Sequence, residues 1–138
     1  MRIAVIDGQG GRIGLSIVEK LRKELPGAEI LALGTNSLAT AAMLKAGADA
    51  GATGENAIVV NAPRVDLIVG VIGIISANAM LGELTPAIAG AVSGSPAQKI
   101  LLPFNRCGIE IVGTAKNLPV TQLVDELVAA VKAYFAQL

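Results

Sequence analysis

The sequence contains no histidine and no tryptophan, a single cysteine, and only 2% aromatic residues. Without histidine there can be no Cys/His zinc cluster, so we expect no metal site. The single cysteine, Cys107, cannot form an internal disulfide. These absences leave metal catalysis and disulfide cross-linking with little support.

Charge is also scarce: 16% of the residues are charged, and eleven basic residues balance eleven acidic ones. The sequence has no Lys/Arg cluster that could form a basic patch against a nucleic-acid backbone, so we expect no nucleic-acid partner. No apolar run approaches the roughly 18 residues typical of a membrane span, and the chain opens on a strand, not a leader. We therefore expect a cytoplasmic protein with no membrane partner.

What the sequence does have is apolar residues, at 53% of the total, mainly Ala, Val, Ile and Leu. This set is typical of strands buried on both faces, and 138 residues suit a single domain over 1–138. Few charged groups remain to cover the surface, which predicts a homo-oligomer, most simply a dimer. The alternative is that alanine alone inflates the apolar count.

The order of patterns predicts an α/β fold, namely a Rossmann-like three-layer domain with a mainly parallel sheet. We expect the strand order 3-2-1-4-5 and an antiparallel sixth strand at the edge. The predicted strands span 3–6, 29–33, 48–52, 66–71, 99–104 and 109–112. Helices are predicted after Gly14, over 38–46 with Ser37 as cap, over 55–62, over 87–92 after Thr85-Pro86, and over 120–138. The β-branched residues of 55–62 also suit a strand, and 73–83 has a weak helical pattern.

The most informative stretch is the first strand with the glycine-rich turn that follows it. A glycine turn that leads into a helix N-terminus leaves backbone N–H groups free to bind a phosphate. The predicted cofactor-binding residues of this turn are Asp7, Gly8, Gln9, Gly10, Gly11, Arg12, Ile13 and Gly14. On this interpretation Gly11→Val blocks phosphate approach more than it unfolds the domain. The alternative is a tight turn whose glycines serve only close packing.

The spacing Gly8-x-x-Gly11-Arg12-Ile13-Gly14 is similar to the G-x-x-G-R-x-G turn of the dihydrodipicolinate reductase family. The resemblance implies a turn that binds the pyrophosphate of NAD(P)H, although Ile13 departs from the usual dinucleotide fingerprint with glycine at its sixth position.

A second resemblance, to short bacterial proteins of uncharacterised function, covers most of the chain. It implies a Rossmann-like nucleotide-binding appearance and no established activity. The residues that carry it are 7–11 (DGQGG), 13–14 (IG), 53–57 (TGENA), 73–74 (GI), 82–86 (GELTP) and Cys107.

The end of the second strand is predicted to determine which dinucleotide binds. Sites that prefer NAD usually carry Asp or Glu there, whereas this chain has Thr35, Asn36 and Ser37. Hydroxyl and amide groups with no carboxylate would accept a 2′-phosphate, which favours NADP over NAD as the cofactor. The alternative is that these three residues only form a turn and a helix cap.

The remaining candidates are less specific. Asp7 would repel a pyrophosphate unless it points away, accepts from loop N–H groups, or binds a ligand hydroxyl or Mg²⁺. A structural role that holds the loop is favoured over catalysis. Gly70, Gly73 and the 78–85 loop are predicted to form the substrate side of the pocket, with Gly73 also a predicted cofactor-binding residue and with Asn78 and Glu83 as candidate catalytic groups. Glu83 is equally a candidate acceptor for a ligand hydroxyl, or simply a solvated side chain. Cys107, next to Arg106, is a candidate nucleophile, but no histidine exists to serve as its base.

The sequence thus favours a nucleotide-binding protein of unassigned activity. Binding needs only a glycine loop and a pocket, whereas catalysis also needs a positioned proton donor or acceptor. Two alternatives remain: a minimal NADP-dependent reductase with its nicotinamide near 73–83, and a structural oligomeric domain with no ligand.

Overall fold

The computed structural model describes residues 1–104, 107–114 and 117–138. Its strands are β1 (Arg2–Asp7), β2 (Glu29–Gly34), β3 (Ala50–Thr53), β4 (Leu67–Val71) and β5 (Gln98–Leu102). Its helices are α1 (Arg12–Glu24), α2 (Ser37–Lys45), α3 (Glu55–Asn61), α4 (Pro86–Ser93) and α5 (Val120–Ala136). Short 3-10 turns follow α3 at Ala62–Arg64 and β4 at Ile72–Ile75.

The five strands form one parallel sheet in the order β3-β2-β1-β4-β5. In the register of the sheet, Ile3 of β1 lies opposite Ile30 of β2 on one side and Leu67 of β4 on the other. The strand order reverses between β1 and β4, which places a topological switch point at the carboxyl end of β1. The predicted α/β class and strand order are confirmed.

Helices cover both faces of this sheet, giving the three layers expected from the sequence. On one face α1 packs between α2 and α5, and on the other α3 packs against α4. The apolar residues of α1 repeat at helical spacing, so Ile17, Val18 and Leu21 are fully buried. Residues 3–6 of β1 are also completely buried, because strands that are covered on both faces carry no solvent side. No helix in the described ranges is both long and apolar enough to cross a bilayer.

The predicted sixth strand is wrong. Among the described residues the sheet has five strands, and 109–112 form no ladder with β5. The N–H of Gly73 donates to the carbonyl of Phe104 at 3.2 Å, which directs the chain toward the end of β4 after β5 ends. Cys107 and Gly108 then adopt left-handed backbone angles in a turn that does not continue a hairpin. Asn105 and Arg106, within the expected hairpin turn, lie outside the described residues.

Two local predictions need correction, and two are confirmed. Asn36, not Ser37, caps α2: its backbone is extended and its Oδ1 accepts from the N–H of Ala39 at 2.9 Å, so Ser37 is already helical. Residues 73–83 form a 3-10 turn and further turns instead of a helix. The helix expected at 55–62 is present, and Thr85 caps α4 by accepting from the N–H of Ile88.

Candidate functional site

The glycine loop connects the central strand to α1 at the switch point. The carbonyl of Gly8 accepts from the N–H of Gly11 at 2.9 Å, which closes the turn, and α1 begins at Arg12. Gly11 has a left-handed φ of 70°, and a Cβ there would lie 2.7 Å from the Cα of Ala39 in α2. Gly11 therefore allows α1 to approach α2, which is the packing role given above as the alternative for these glycines.

Gly10 differs from the other glycines of this loop. A Cβ on Gly14 would contact Met43 Sδ at 2.7 Å and Asp7 Cβ at 2.9 Å, so Gly14 also serves close packing. A Cβ on Gly10 would meet nothing within 4 Å. Gly10 thus faces the space in front of the loop, where a cavity of about 310 Å³ lies against residues 7–13.

Asp7, at the end of β1, holds the loop in shape from inside. Its side chain is buried, with Oδ1 accepting from the N–H of Gly8 at 2.8 Å and Oδ2 accepting from the N–H of Gly14 at 2.7 Å. Burial raises the pKa of Asp7, the two hydrogen bonds lower it by less, and the negative charge of Glu83 adds to the rise. The arrangement supports the structural role expected for Asp7, since both of its oxygens are engaged by the loop.

Three other N–H groups of the loop have no acceptor among the described residues. Within the described ranges, no atom accepts from the N–H of Gly10, Arg12 or Ile13. Arg12 and Ile13 are the first two residues of the 13-residue helix α1, so these groups carry its positive dipole end. Such an arrangement can accept several oxygens of one anion at once.

The carboxylate of Glu83 joins the glycine loop to the loop after β2. Its Oε1 accepts from the N–H of Gln9 at 2.9 Å, from the hydroxyl of Thr35 at 2.7 Å, and from the amide Nδ2 of Asn36 at 2.8 Å. We call this set of residues, Gln9, Thr35, Asn36 and Glu83, the carboxylate clasp. Burial is the largest single influence on Glu83 and raises its pKa. The three hydrogen bonds together outweigh burial, so the pKa is lowered overall.

Asn36 has a double role in the clasp. While its Oδ1 caps α2, its Nδ2 donates to Glu83 and also to the carbonyl of Gln9 at 3.0 Å. The two loops that would face a bound nucleotide are thereby fixed to each other by one amide side chain. Ser37 is exposed on the first turn of α2, away from these bonds.

The clasp alters the argument for NADP over NAD. That argument required a β2 end with no carboxylate, and in the sequence 34–37 indeed contains none. In the structure the carboxylate of Glu83 lies within hydrogen-bond distance of both Thr35 and Asn36. The end of β2 therefore does carry a carboxylate, supplied by a residue 48 positions further along the chain than Thr35.

The other predicted substrate-side residues lie outside the clasp. Gly73 is buried, and its N–H and carbonyl bond to Phe104 and Ser76, which ties the ends of β4 and β5 together. Asn78 has a left-handed φ of 68°, and its N–H donates to the carbonyl of Leu84, closing the loop that carries Glu83. Cys107 is exposed, and its neighbour Arg106 lies outside the described residues.

Met80 lies within the predicted 78–85 loop but is not among the residues that the sequence singles out. Its side chain is buried, and its Sδ lies 2.7 Å from the place that a Cβ on Gly8 would take. Met80 and Glu83 thus cover the first glycine of the loop together. No sequence signal identifies Met80, because its backbone reaches this position only through the left-handed conformations of Asn78, Met80, Leu81 and Gly82.

Comparison with solved structures identifies a protein of the same fold. The crystal structure of a dodecameric FMN-dependent Ubix-like decarboxylase from Escherichia coli O157:H7 matches with a TM-score of 0.51 and 16% sequence identity. The match covers 99% of this chain and 94% of the other. At this identity the similarity shows the fold alone.

The comparison with curated proteins gave no match. A family model, in contrast, matches residues 2–136, almost the whole sequence. This agrees with the resemblance to short proteins of uncharacterised function. The chain belongs to the family described as Domain of unknown function (DUF3842).

Proposed function

We propose that the protein binds a nucleotide through its phosphates at the glycine loop, residues 8–14. The observation that carries this proposal is that the N–H groups of Gly10, Arg12 and Ile13 have no acceptor among the described residues. A Cβ on Gly10 would also meet nothing within 4 Å, which leaves space for a ligand beside the loop. Phosphate oxygens accept from such groups at the positive end of a helix with no side-chain help. The place also fits, since ligands of open parallel sheets bind beyond the carboxyl ends of strands at the switch point.

The class of nucleotide follows from two comparisons. The turn at 8–14 resembles one that binds the pyrophosphate of NAD(P)H, and the structural neighbour is FMN-dependent. We therefore propose a nicotinamide dinucleotide, NAD or NADP, as the ligand, with FMN as the alternative. The function proposed is binding, because the candidate general base Glu83 has one oxygen already committed to three donors.

Isothermal titration calorimetry with NAD, NADP and FMN tests the phosphate site. The critical variant is Gly10→Val, which places a side chain in the space in front of the loop. The matched control is Gly27→Val, because a Cβ on Gly27 also meets nothing within 4 Å and Gly27 is far along the chain from the loop. We expect Gly10→Val to weaken binding at least about tenfold, and Gly27→Val to leave it unchanged. Equal binding by both variants, with unchanged thermal midpoints, would refute the site.

We also propose that the protein forms a homodimer through the open edge of β5. Among the described residues no strand pairs with this edge, and Ile111 lines a cavity together with Leu101 and Leu102 of β5. Close to it in the chain, Val112 and Ile109 are 91% and 47% exposed. A strand edge next to exposed apolar side chains favours contact with a second copy. Light scattering should give twice the monomer mass at micromolar concentration, and Val112→Glu should shift it toward the monomer. Leu38→Glu is the control, since Leu38 is 66% exposed on the distant helix α2.

A further inference from the structure

Glu83 lies at the place where nucleotide-binding sheets of this order usually hold a ribose-binding acid. In such folds an acidic residue at the end of the second strand accepts hydrogen bonds from the ribose hydroxyls. Here the end of β2 contributes Thr35 and Asn36, and their side chains hold the carboxylate of Glu83 at 2.7 and 2.8 Å. A carboxylate, that of Glu83, is therefore held at the end of β2, although Glu83 belongs to the loop before α4.

Among the residues that the structure describes, hydrogen bonds reach only one of the two oxygens of the Glu83 carboxylate. Oε1 accepts all three hydrogen bonds of the clasp, and no residue in the described ranges donates to Oε2. The three donors fix the orientation of the carboxylate, so Oε2 is held in position and not free to rotate with the side chain. A fixed carboxylate oxygen is a good acceptor for one or two neighbouring hydroxyl groups.

The charges around the clasp disfavour a second phosphate. Asp7 and Glu83 are close enough for the charge of Glu83 to raise the pKa of Asp7. Over the residues that the structure describes, no lysine or arginine forms an ion pair with either acid. A dianionic 2′-phosphate placed here would be repelled by these acids, neither of which is neutralised by an ion pair in the described ranges, whereas a hydroxyl would donate to Oε2.

We infer that the nucleotide bound at the glycine loop carries a ribose with free 2′- and 3′-hydroxyls, and that Glu83 excludes 2′-phosphorylated ligands. This inference rests on the proposed function, because it needs the phosphates to be bound at residues 8–14. It selects NAD over NADP and reverses the preference that the sequence of β2 indicates. Glu83 is then the residue that determines specificity.

Calorimetric titration of wild type, Glu83→Gln and Glu55→Gln with NAD, NADP and FMN tests the inference. The substitution Glu83→Gln keeps an oxygen acceptor for the three donors but removes the charge. Glu55 is the matched control because its Oε1 also accepts from a threonine hydroxyl, that of Thr85, while no hydrogen bond among the described residues joins it to the glycine loop. We expect wild type and Glu55→Gln to bind NAD at least about tenfold more tightly than NADP. In Glu83→Gln the ratio of the two affinities should fall to within about threefold of unity.

The possible failures are distinguishable. Equal affinity of wild type for NAD and NADP, or an unchanged ratio in Glu83→Gln, overturns this inference and leaves the phosphate site standing. Binding of FMN but of neither NAD nor NADP also overturns this inference and leaves the phosphate site standing. Binding of none of the three probes overturns the phosphate site and, with it, the role of Glu83. Thermal unfolding of each variant confirms that the compared proteins are folded.

Discussion

The carboxylate of Glu83 accepts a hydrogen bond from the backbone N–H of Gln9 at 2.9 Å, although 74 positions separate the two residues in the chain. The contact connects the loop before α4 with the glycine loop after β1. Because Thr35 and Asn36 donate to the same oxygen, three separate segments meet at one atom. Four predictions concern this region and the packing beneath it.

The stability contributed by Glu83 should depend on pH. Its pKa is lowered below the ordinary value of 4.5, despite burial, because three hydrogen bonds favour the charged form. A group with a lowered folded-state pKa stabilises fully above its unfolded pKa, and this stabilisation is lost as the pH falls through the folded value. Because solvent screens this half-buried group, the free energy of unfolding of wild type should exceed that of Glu83→Gln by only about 1 kcal/mol at pH 7.

Urea unfolding of both proteins between pH 7 and pH 3 measures this difference. It should shrink below about pH 5, as Glu83 takes up a proton, while loss of the Glu83 charge also shifts the titration of Asp7 in the variant. A difference that grows as the pH falls would show that the clasp prefers the protonated acid.

Replacing Asp7 by alanine should destabilise the domain by about 1–3 kcal/mol, because the N–H groups of Gly8 and Gly14 lose their buried acceptor. The matched control is Asp66→Ala, whose carboxylate accepts from the N–H of Arg2 at the exposed amino end of β1. We expect that variant to lose less than about 1 kcal/mol. Chemical denaturation monitored by circular dichroism compares them, and an equal loss in both would contradict the anchoring role of Asp7.

Two neighbouring glycines should respond in opposite ways to alanine. Gly11→Ala combines a left-handed φ with a Cβ only 2.7 Å from backbone of α2, so we expect a loss of more than about 2 kcal/mol. Gly10→Ala meets no atom within 4 Å and should change stability by less than about 1 kcal/mol. The thermal midpoints of Gly10→Ala and Gly11→Ala, each compared with that of wild type, test both expectations. A stable Gly11→Ala protein would show that α1 and α2 can separate at this point without cost.

The cap of α2 offers a direct comparison of adjacent residues. Asn36→Ala removes both the cap on Ala39 and the donor to Glu83, and should cost about 1–2 kcal/mol. Ser37→Ala, at the position that the sequence favoured as cap, should be within about 0.5 kcal/mol of wild type. Urea midpoints measured side by side test this, and the reverse order of losses would restore Ser37 as the cap.

The sequence predicted the parts of the fold that depend on local pattern. The buried strand β1, the glycine turn and α1 follow from a short run of residues, and the parallel order follows from helices that alternate with strands. The prediction of an edge strand at 109–112 was wrong because β-branched residues alone do not pair, and Cys107 and Gly108 just before them have left-handed backbone angles. The prediction that Ser37 caps α2 was wrong because Asn36 and Ser37 are both good capping residues. Only the extended backbone at Asn36 decides between them.

The candidate site was less predictable for a physical reason. The turn residues 8–14 are contiguous, so a sequence pattern can identify them. Glu83 and Met80 reach Gly8 through a loop with several left-handed residues, and no rule of periodicity specifies such a path. The sequence could name Glu83 as a polar candidate, but not that it would stand at the end of β2.

The buried bonds of Asp7 make the glycine loop a preorganised receptor. Its two ends, at Gly8 and Gly14, are fixed by one carboxylate. The N–H groups of Gly10, Arg12 and Ile13 therefore need no rearrangement to donate to the phosphates of the proposed ligand. Ordering a flexible loop on binding costs conformational entropy, and a loop already fixed avoids that cost. Association should therefore proceed in a single kinetic step whose observed rate rises linearly with nucleotide concentration.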